Sequence, residues 1–185
     1  VVPTYNEKDN LDALFARIAD LFTGDKAYEI IVVDDNSSDG SWELLAQLKN
    51  KYPLKIFKKE GRKGKSFSLV EGFAKSAGDT LVMLDADLQY PPEAIVQMVK
   101  TLKDADFVVA NRKNYYDSAV RKFLSRTFRF AFGKFLFGID SDVQSGLKAF
   151  RRRVWETVKF VPKSPWTFDL EFLYRAREAV FAGQN

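Results

Sequence analysis

Short apolar runs rich in β-branched residues alternate along this chain with amphipathic stretches of helical spacing. That alternation leaves few architectures open. Tyr28 to Val33 (YEIIVV), Leu54 to Phe57, Thr80 to Leu84 and Asp106 to Ala110 read as strands, being brief and suited to burial in a sheet. Val1-Val2-Pro3 reads as the tail of another. Leu11, Leu14, Phe15, Ile18, Leu21 and Phe22 recur at helical spacing, which predicts a helix with one buried face. Further helices are expected over Gly40 to Asn50, Ser66 to Ala77, Glu93 to Lys103 and Trp166 to Ala182. Asp142 to Phe150 reads as a polar turn followed by a short strand. Strands alternating with helices predict an α/β fold, with a mostly parallel central sheet flanked by helices. At 185 residues the chain has the size of a single domain.

In such sheets ligands bind beyond the carboxyl ends of the strands. The polar loops PTYNE, DDNSSDG and DADLQ fall there. The chain contains neither Cys nor His, which excludes disulfides, thiolate or imidazole metal sites and a Ser-His-Asp triad. Acid-base or metal chemistry therefore falls to carboxylates, amides and hydroxyls, and hard oxygen donors suit magnesium or manganese. A net charge of +4 permits an anionic partner. No apolar run approaches the roughly 18 residues that span a bilayer.

Asp85-Ala86-Asp87-Leu88-Gln89 ends a buried strand and carries the strongest signal. In an extended segment alternate side chains share a face, so Asp85, Asp87 and Gln89 would converge as an incomplete octahedral set for Mg2+ or Mn2+. The alternative is a solvated turn that caps the helix following Pro91-Pro92-Glu93. Asp34-Asp35 ends YEIIVV; a carboxylate there accepts from a base or ribose, or caps the next helix. Tyr5 offers a ring for stacking and Glu7 an acceptor, unless Asn6 and Glu7 serve only the start of their helix. Arg62-Lys63-Gly64-Lys65 places cations and a Gly before a helix, which suits a diphosphate; an ordinary basic loop is the competing reading.

Taken together, VVPTYNE, EIIVVDDNSSDGS, GKSFSLVEGFAKSAGD, LDADLQYPPE, DVQSGLKAFRR and FDLEFLYRA resemble the family 2 glycosyltransferases of the GT-A (Rossmann-like) fold. Within that family they are most similar to the polyprenyl-phosphate and dolichol-phosphate hexose synthases. The stretches run in the family's order over nearly the whole chain. The resemblance implies one catalytic domain over 1–185. It also implies a longer parent, because family members continue past the last helix and many add membrane segments. A nucleotide-sugar pocket is implied at Pro3, Tyr5, Glu7, Val33, Asp35, Lys65, Asp85 and Ala86. Metal binding is implied for Asp85, Asp87 and Gln89, with Asp87 and Gln89 as direct ligands. Arg112, Arg121 and Ser125 match positions that hold the acceptor phosphate, and Asp142 lies in the turn near the reacting centre.

The implied reaction is metal-dependent transfer of a hexose, with inversion, from a UDP-glucose or GDP-mannose type donor to a polyprenyl monophosphate. It would take place at the cytoplasmic face of a membrane, and no nucleic acid is involved. Asp87, Asp142, Arg112 and Arg121 would form the catalytic set. A transferase acting on a sugar hydroxyl, with Asp142 as base, is one alternative. A non-catalytic module that binds nucleotide or membrane is another. The stretch 118–139 alternates cations with Phe and is expected as a basic helix at the membrane interface.

Overall fold

The computed structural model describes residues 1–23, 27–110 and 145–182. The elements are β1 (Val2–Thr4), α1 (Lys8–Leu21), β2 (Ile30–Asp34), α2 (Ser41–Leu48), β3 (Leu54–Lys58), α3 (Lys65–Lys75), β4 (Thr80–Leu84), α4 (Ala94–Thr101), β5 (Phe107–Val109), β6 (Leu147–Arg151), α5 (Arg152–Val158) and α6 (Phe168–Ala182). Each strand and helix expected from periodicity within these residues is present. One helix, α5, was not anticipated. It has only seven residues and follows β6 without a turn signal.

β1 pairs parallel with β2, and β2 with β3, in the register Val2↔Val32 and Ile30↔Leu54. β6 runs antiparallel between β4 and β5, with Leu84↔Leu147 and Phe107↔Phe150 as partners. The two halves meet at Val1. Its amine donates to the Val82 carbonyl at 2.6 Å, and its carbonyl accepts from the Leu84 N–H at 3.1 Å. A residue bonded to both neighbours of the residue opposite (here Met83) is the parallel pattern. The strands therefore lie in the order β3-β2-β1-β4-β6-β5, a mostly parallel sheet in which β6 is the reversed member.

Alternation along the strands builds a core on each face. Leu84, Leu147 and Ala149 join Leu11, Leu14, Phe15 and Ile95 beneath α1 and α4. Leu81, Met83 and Phe150 join Phe73, Trp155, Phe168 and Phe172 beneath α3, α5 and α6. Phe73 is fully buried, with ring centroids 5.2 Å from Trp155 and 5.3 Å from Phe150. These aromatic contacts attach α5 and α6 to the sheet and bring the first turn of α6 toward the end of β4 and the start of β6.

The loops after β1 and β2 interlock at the same edge of the sheet. The Asn6 N–H donates to Ser37 Oγ at 2.9 Å, and Ser38 N–H donates to Asn6 Oδ1 at 2.8 Å. Asn6 takes a φ of 54°, which Asn tolerates better than most residues. Its side chain does not cap α1. Asp39 serves the helices instead, accepting from Lys8 N–H at 3.1 Å and from Ser41 N–H at 2.9 Å. Its negative charge thus lies at the positive ends of both α1 and α2.

Candidate active site

Four side chains organise the edge where β2, β3 and β4 end and β6 begins. Asp85 follows β4 directly, and its N–H donates to the Gly146 carbonyl at 3.1 Å. Its carboxylate meets the Lys65 ammonium at 2.7 Å and 2.8 Å through its two oxygens. Burial works against the Lys65 charge, yet attraction to Asp85, Asp169 and Asp87 holds that ammonium above lysine's ordinary value. Burial raises the Asp85 carboxyl above its ordinary range even with Lys65 beside it. Gly146 is packed so closely that an added Cβ would stand 2.1 Å from Asp85 Oδ2.

Asp35, just past β2, is buried, and its Oδ2 accepts the Gly64 N–H at 2.6 Å. Lys59, just past β3, is 3% exposed. Its ammonium donates to the Gly64 carbonyl at 2.8 Å and Ser68 Oγ at 3.0 Å, and lies 3.4 Å from Asp35 Oδ1. Burial pulls the Lys59 ammonium below its ordinary value, with Asp35 opposing. Gly64 has a φ of 117°, and a Cβ there would come within 2.3 Å of Pro165. Glycine alone meets both the conformation and the contact. The Gly64–Lys65 turn therefore links an Asp35 side of the crevice to an Asp85 side.

A second buried pair lies behind Asp85. Lys148 of β6 has no exposed surface; it donates to the Ser145 carbonyl and to Asp169 Oδ1 of α6. Burial pulls its ammonium down against the pull of Asp169. The first turn of α6 is also tied to α3, since Phe168 N–H donates to Ser66 Oγ at 3.0 Å. Sequence reasoning did not single out Lys59, Lys148 or Asp169. The one available sign was a Lys at an inward-facing position of the strand LKAFR.

The segment after Asp85 is not extended. Residues 86–90 turn, and Leu88 takes a φ of 57°, so the alternation argument for Asp85, Asp87 and Gln89 does not apply. Asp87 Oδ1 accepts the Gln89 N–H at 3.1 Å, and Gln89 is exposed. Among the described residues no group of three acidic side chains forms a metal cage. Magnesium-like ions are commonly held by one or two carboxylates completed by phosphates and water. The half-buried Asp87 with the Gln89 amide fits that chemistry, whereas Asp85 already has a cation in Lys65.

Tyr5 is 57% exposed and open for stacking. Pro3 is half-buried, and Glu7 Oε2 accepts from Asn10 Nδ2 at 2.7 Å. Val33 and Ala86 are core residues, at 0% and 3% exposure. The Val33 side chain lies under α3 against Gly72, so it offers a ligand no side-chain surface. Arg112, Arg121, Ser125, Asp142 and the stretch 118–139, expected as a helix, lie outside the described residues.

The strand order, with a reversed β6 and charged groups gathered past the strand ends, is the architecture of a GT-A glycosyltransferase domain. The chain belongs to glycosyl transferase family 2, whose profile matches residues 1–158. It is 42% identical over 113 residues to a dolichol-phosphate mannosyltransferase of Pyrococcus furiosus, covering 60% of this chain and 32% of that protein. It is 37% identical over 164 residues to an undecaprenyl-phosphate 4-deoxy-4-formamido-L-arabinose transferase of Yersinia pestis, covering 85% of this chain and 50% of that protein. The chain thus spans from about a third to half of these relatives. Its fold superposes, with a TM-score of 0.71 and 20% identity, on the Mycobacterium tuberculosis glucosyl-3-phosphoglycerate synthase in complex with Mn2+, UDP-glucose and phosphoglyceric acid; the match covers 93% of this chain and 61% of that one. No helix among the described residues is long and apolar enough to cross a membrane.

Proposed function

We propose that this domain binds a nucleotide-diphosphate sugar and transfers its hexose, with inversion, to a polyprenyl monophosphate at the cytoplasmic face of a membrane. The observation that carries this reading is the Gly64–Lys65 turn. It joins a carboxylate suited to a nucleoside, Asp35, to a cation suited to a diphosphate, Lys65. Tyr5 would stack on the base. Lys65, largely buried, would donate to the diphosphate where water is scarce and charge interactions are strong. Asp87 and Gln89 would hold Mg2+ or Mn2+, which supplies Lewis-acid neutralisation of the departing diphosphate.

In the transfer an acceptor phosphate oxygen forms a bond to the anomeric carbon. The bond from that carbon to the diphosphate breaks, and its electron pair leaves with the diphosphate. Arg112 and Arg121, with Ser125, would hold the acceptor in line, a gain in orientation. A phosphate oxygen is already anionic and needs no strong base. Two carboxylates near the strand ends are already tied to lysines, Asp85 to Lys65 and Asp169 to Lys148, which favours such an acceptor. Transfer to a sugar hydroxyl would instead require Asp142 as base.

A thermal-shift panel of UDP-, GDP- and dTDP-sugars, with and without manganese, tests the donor half of this reading, because a ligand bound by the folded state raises Tm. At least one nucleotide sugar should raise it, and more with metal. Undecaprenyl phosphate should then yield a lipid-linked sugar. A flat response to every nucleotide sugar would refute the assignment.

A further inference from the structure

We infer that Lys148 is a positioning residue for the donor diphosphate: by engaging Asp169 it keeps the third N–H of Lys65 open to a phosphate oxygen. The inference rests on the reading above, in which Lys65 meets the diphosphate.

Two lysines and two carboxylates gather where β4 ends and β6 begins. Lys65 faces both oxygens of Asp85, at 2.7 Å and 2.8 Å. Lys148 sits opposite Met83 in the β4–β6 register. Its side chain leaves the sheet on the same side as Phe150, which packs beneath α3 and α6. There it donates to Asp169 Oδ1 and to the Ser145 carbonyl. The first turns of α3 and α6 are tied together, since Phe168 N–H donates to Ser66 Oγ at 3.0 Å and Ser66 N–H to the Pro165 carbonyl at 3.0 Å. Lys65 and Asp169 are chain neighbours of those tied residues, so the two pairs share one small region.

The lysines have different tasks. The Lys148 side chain has no exposed surface, whereas 26% of the Lys65 side chain is exposed. An ammonium carries three donors. Lys65 turns two of them to Asp85, and no other acceptor among the described residues takes the third. Asp169 is the competitor for it. Burial works against the Lys65 charge, and attraction to Asp85 and then to Asp169 holds it. The Asp169 charge is favoured by the positive end of α6. Without the Lys148 ammonium, a largely buried carboxylate would lack its counter-charge, which is costly. Lys65 is the cation already in its field. The site would gain net negative charge and Lys65 would turn inward; both changes oppose an anionic diphosphate.

Calorimetry with UDP, GDP and dTDP, each against its monophosphate, tests this in chelator, where no added cation stands in for Lys65. The readout is the ratio of diphosphate to monophosphate affinity for the nucleotide that binds. Lys148→Met should lower that ratio about tenfold. Asp169→Asn should raise it, and combining the two substitutions should restore at least the unaltered value. A pair that served only packing would behave otherwise: breaking it from either side would weaken monophosphate and diphosphate alike and leave the ratio unchanged. An unchanged ratio in either single variant, or a shift of the opposite sign, overturns the inference and leaves a nucleotide site standing. So does diphosphate binding that appears only with manganese. Failure of every diphosphate, with and without manganese, overturns the nucleotide-sugar reading itself. Should Lys148→Met not fold, Asp169→Asn decides the matter alone: a raised ratio supports the inference, and an unchanged or lowered one overturns it.

Discussion

The ammonium of Lys65 lies 2.7 Å from one oxygen of Asp85 and 2.8 Å from the other. This bidentate pair spans the first turn of α3 and the end of β4. It stands against the backbone of Gly146, which leaves no room for a side chain. The pair is about three-quarters buried, with side-chain exposures of 26% and 23%, so its geometry depends on the packing around it.

Gly146→Ala should break that geometry. The new Cβ would fall 2.1 Å from Asp85 Oδ2 and 2.7 Å from its Cγ, and a short side chain held by Lys65 has little room to retreat. The expected loss of stability is about 1–3 kcal/mol, as for other overpacked sites, with weaker binding of nucleoside diphosphates. Urea melts and calorimetry measure the two effects. A variant with unchanged stability and affinity would show that Asp85 moves freely.

Asp87→Ala should remove the metal-dependent part of nucleotide-diphosphate binding and leave the metal-free part intact. Asp87 carries a half-buried carboxylate, and Asp85 next to it is already neutralised by Lys65. Titrations of UDP and GDP with and without manganese check this. Equal manganese enhancement in the variant and the unaltered chain would assign the metal elsewhere.

Much of this was legible in the sequence where a signal is local. The runs YEIIVV and TLVML gave β2 and β4, and turn residues after them marked the crevice. Asp35, Lys65 and Asp85, each placed past a strand or at a helix start by the sequence, lie at one edge of the sheet, although the contacts they make there had no local signal. Other features depend on distant partners. Lys148 and Asp169 are 21 positions apart, and nothing in either segment announces the pair. Leu88 adopts a positive φ with no Gly or Asn to signal it, so an extended reading of DADLQ was natural. Val33 entered the pocket through the resemblance, yet the strict burial of β2 places its side chain under α3.

The stretch 118–139, outside the described residues, should dock on anionic membranes through Lys122, Arg126 and Arg129. Each cation near an anionic surface contributes about 1 kcal/mol. Co-sedimentation with anionic liposomes should fall with salt and drop when the three residues become Gln. A chain that stays in the supernatant at low salt would sink the docking role without touching the transferase reading.

Glu29 should make stability depend on pH in the acid range. Burial opposes its charge, but Lys55 at 2.7 Å and the N–H groups of Ala77 and Gly78 at 2.6 Å and 3.3 Å prevail. They hold the carboxyl below its ordinary value of 4.5. A carboxylate with a depressed folded-state pKa gives its full stabilisation above the unfolded value and loses it as pH falls through the folded one. The unaltered chain should therefore exceed Glu29→Gln in stability by about 1–2 kcal/mol at neutral pH. That margin should shrink once the pH drops below 4.5. Urea denaturation across the acid range measures it; a margin that stays constant throughout would mean the charge of Glu29, as distinct from its shape, contributes nothing to holding the loop after α3 beside the start of β2.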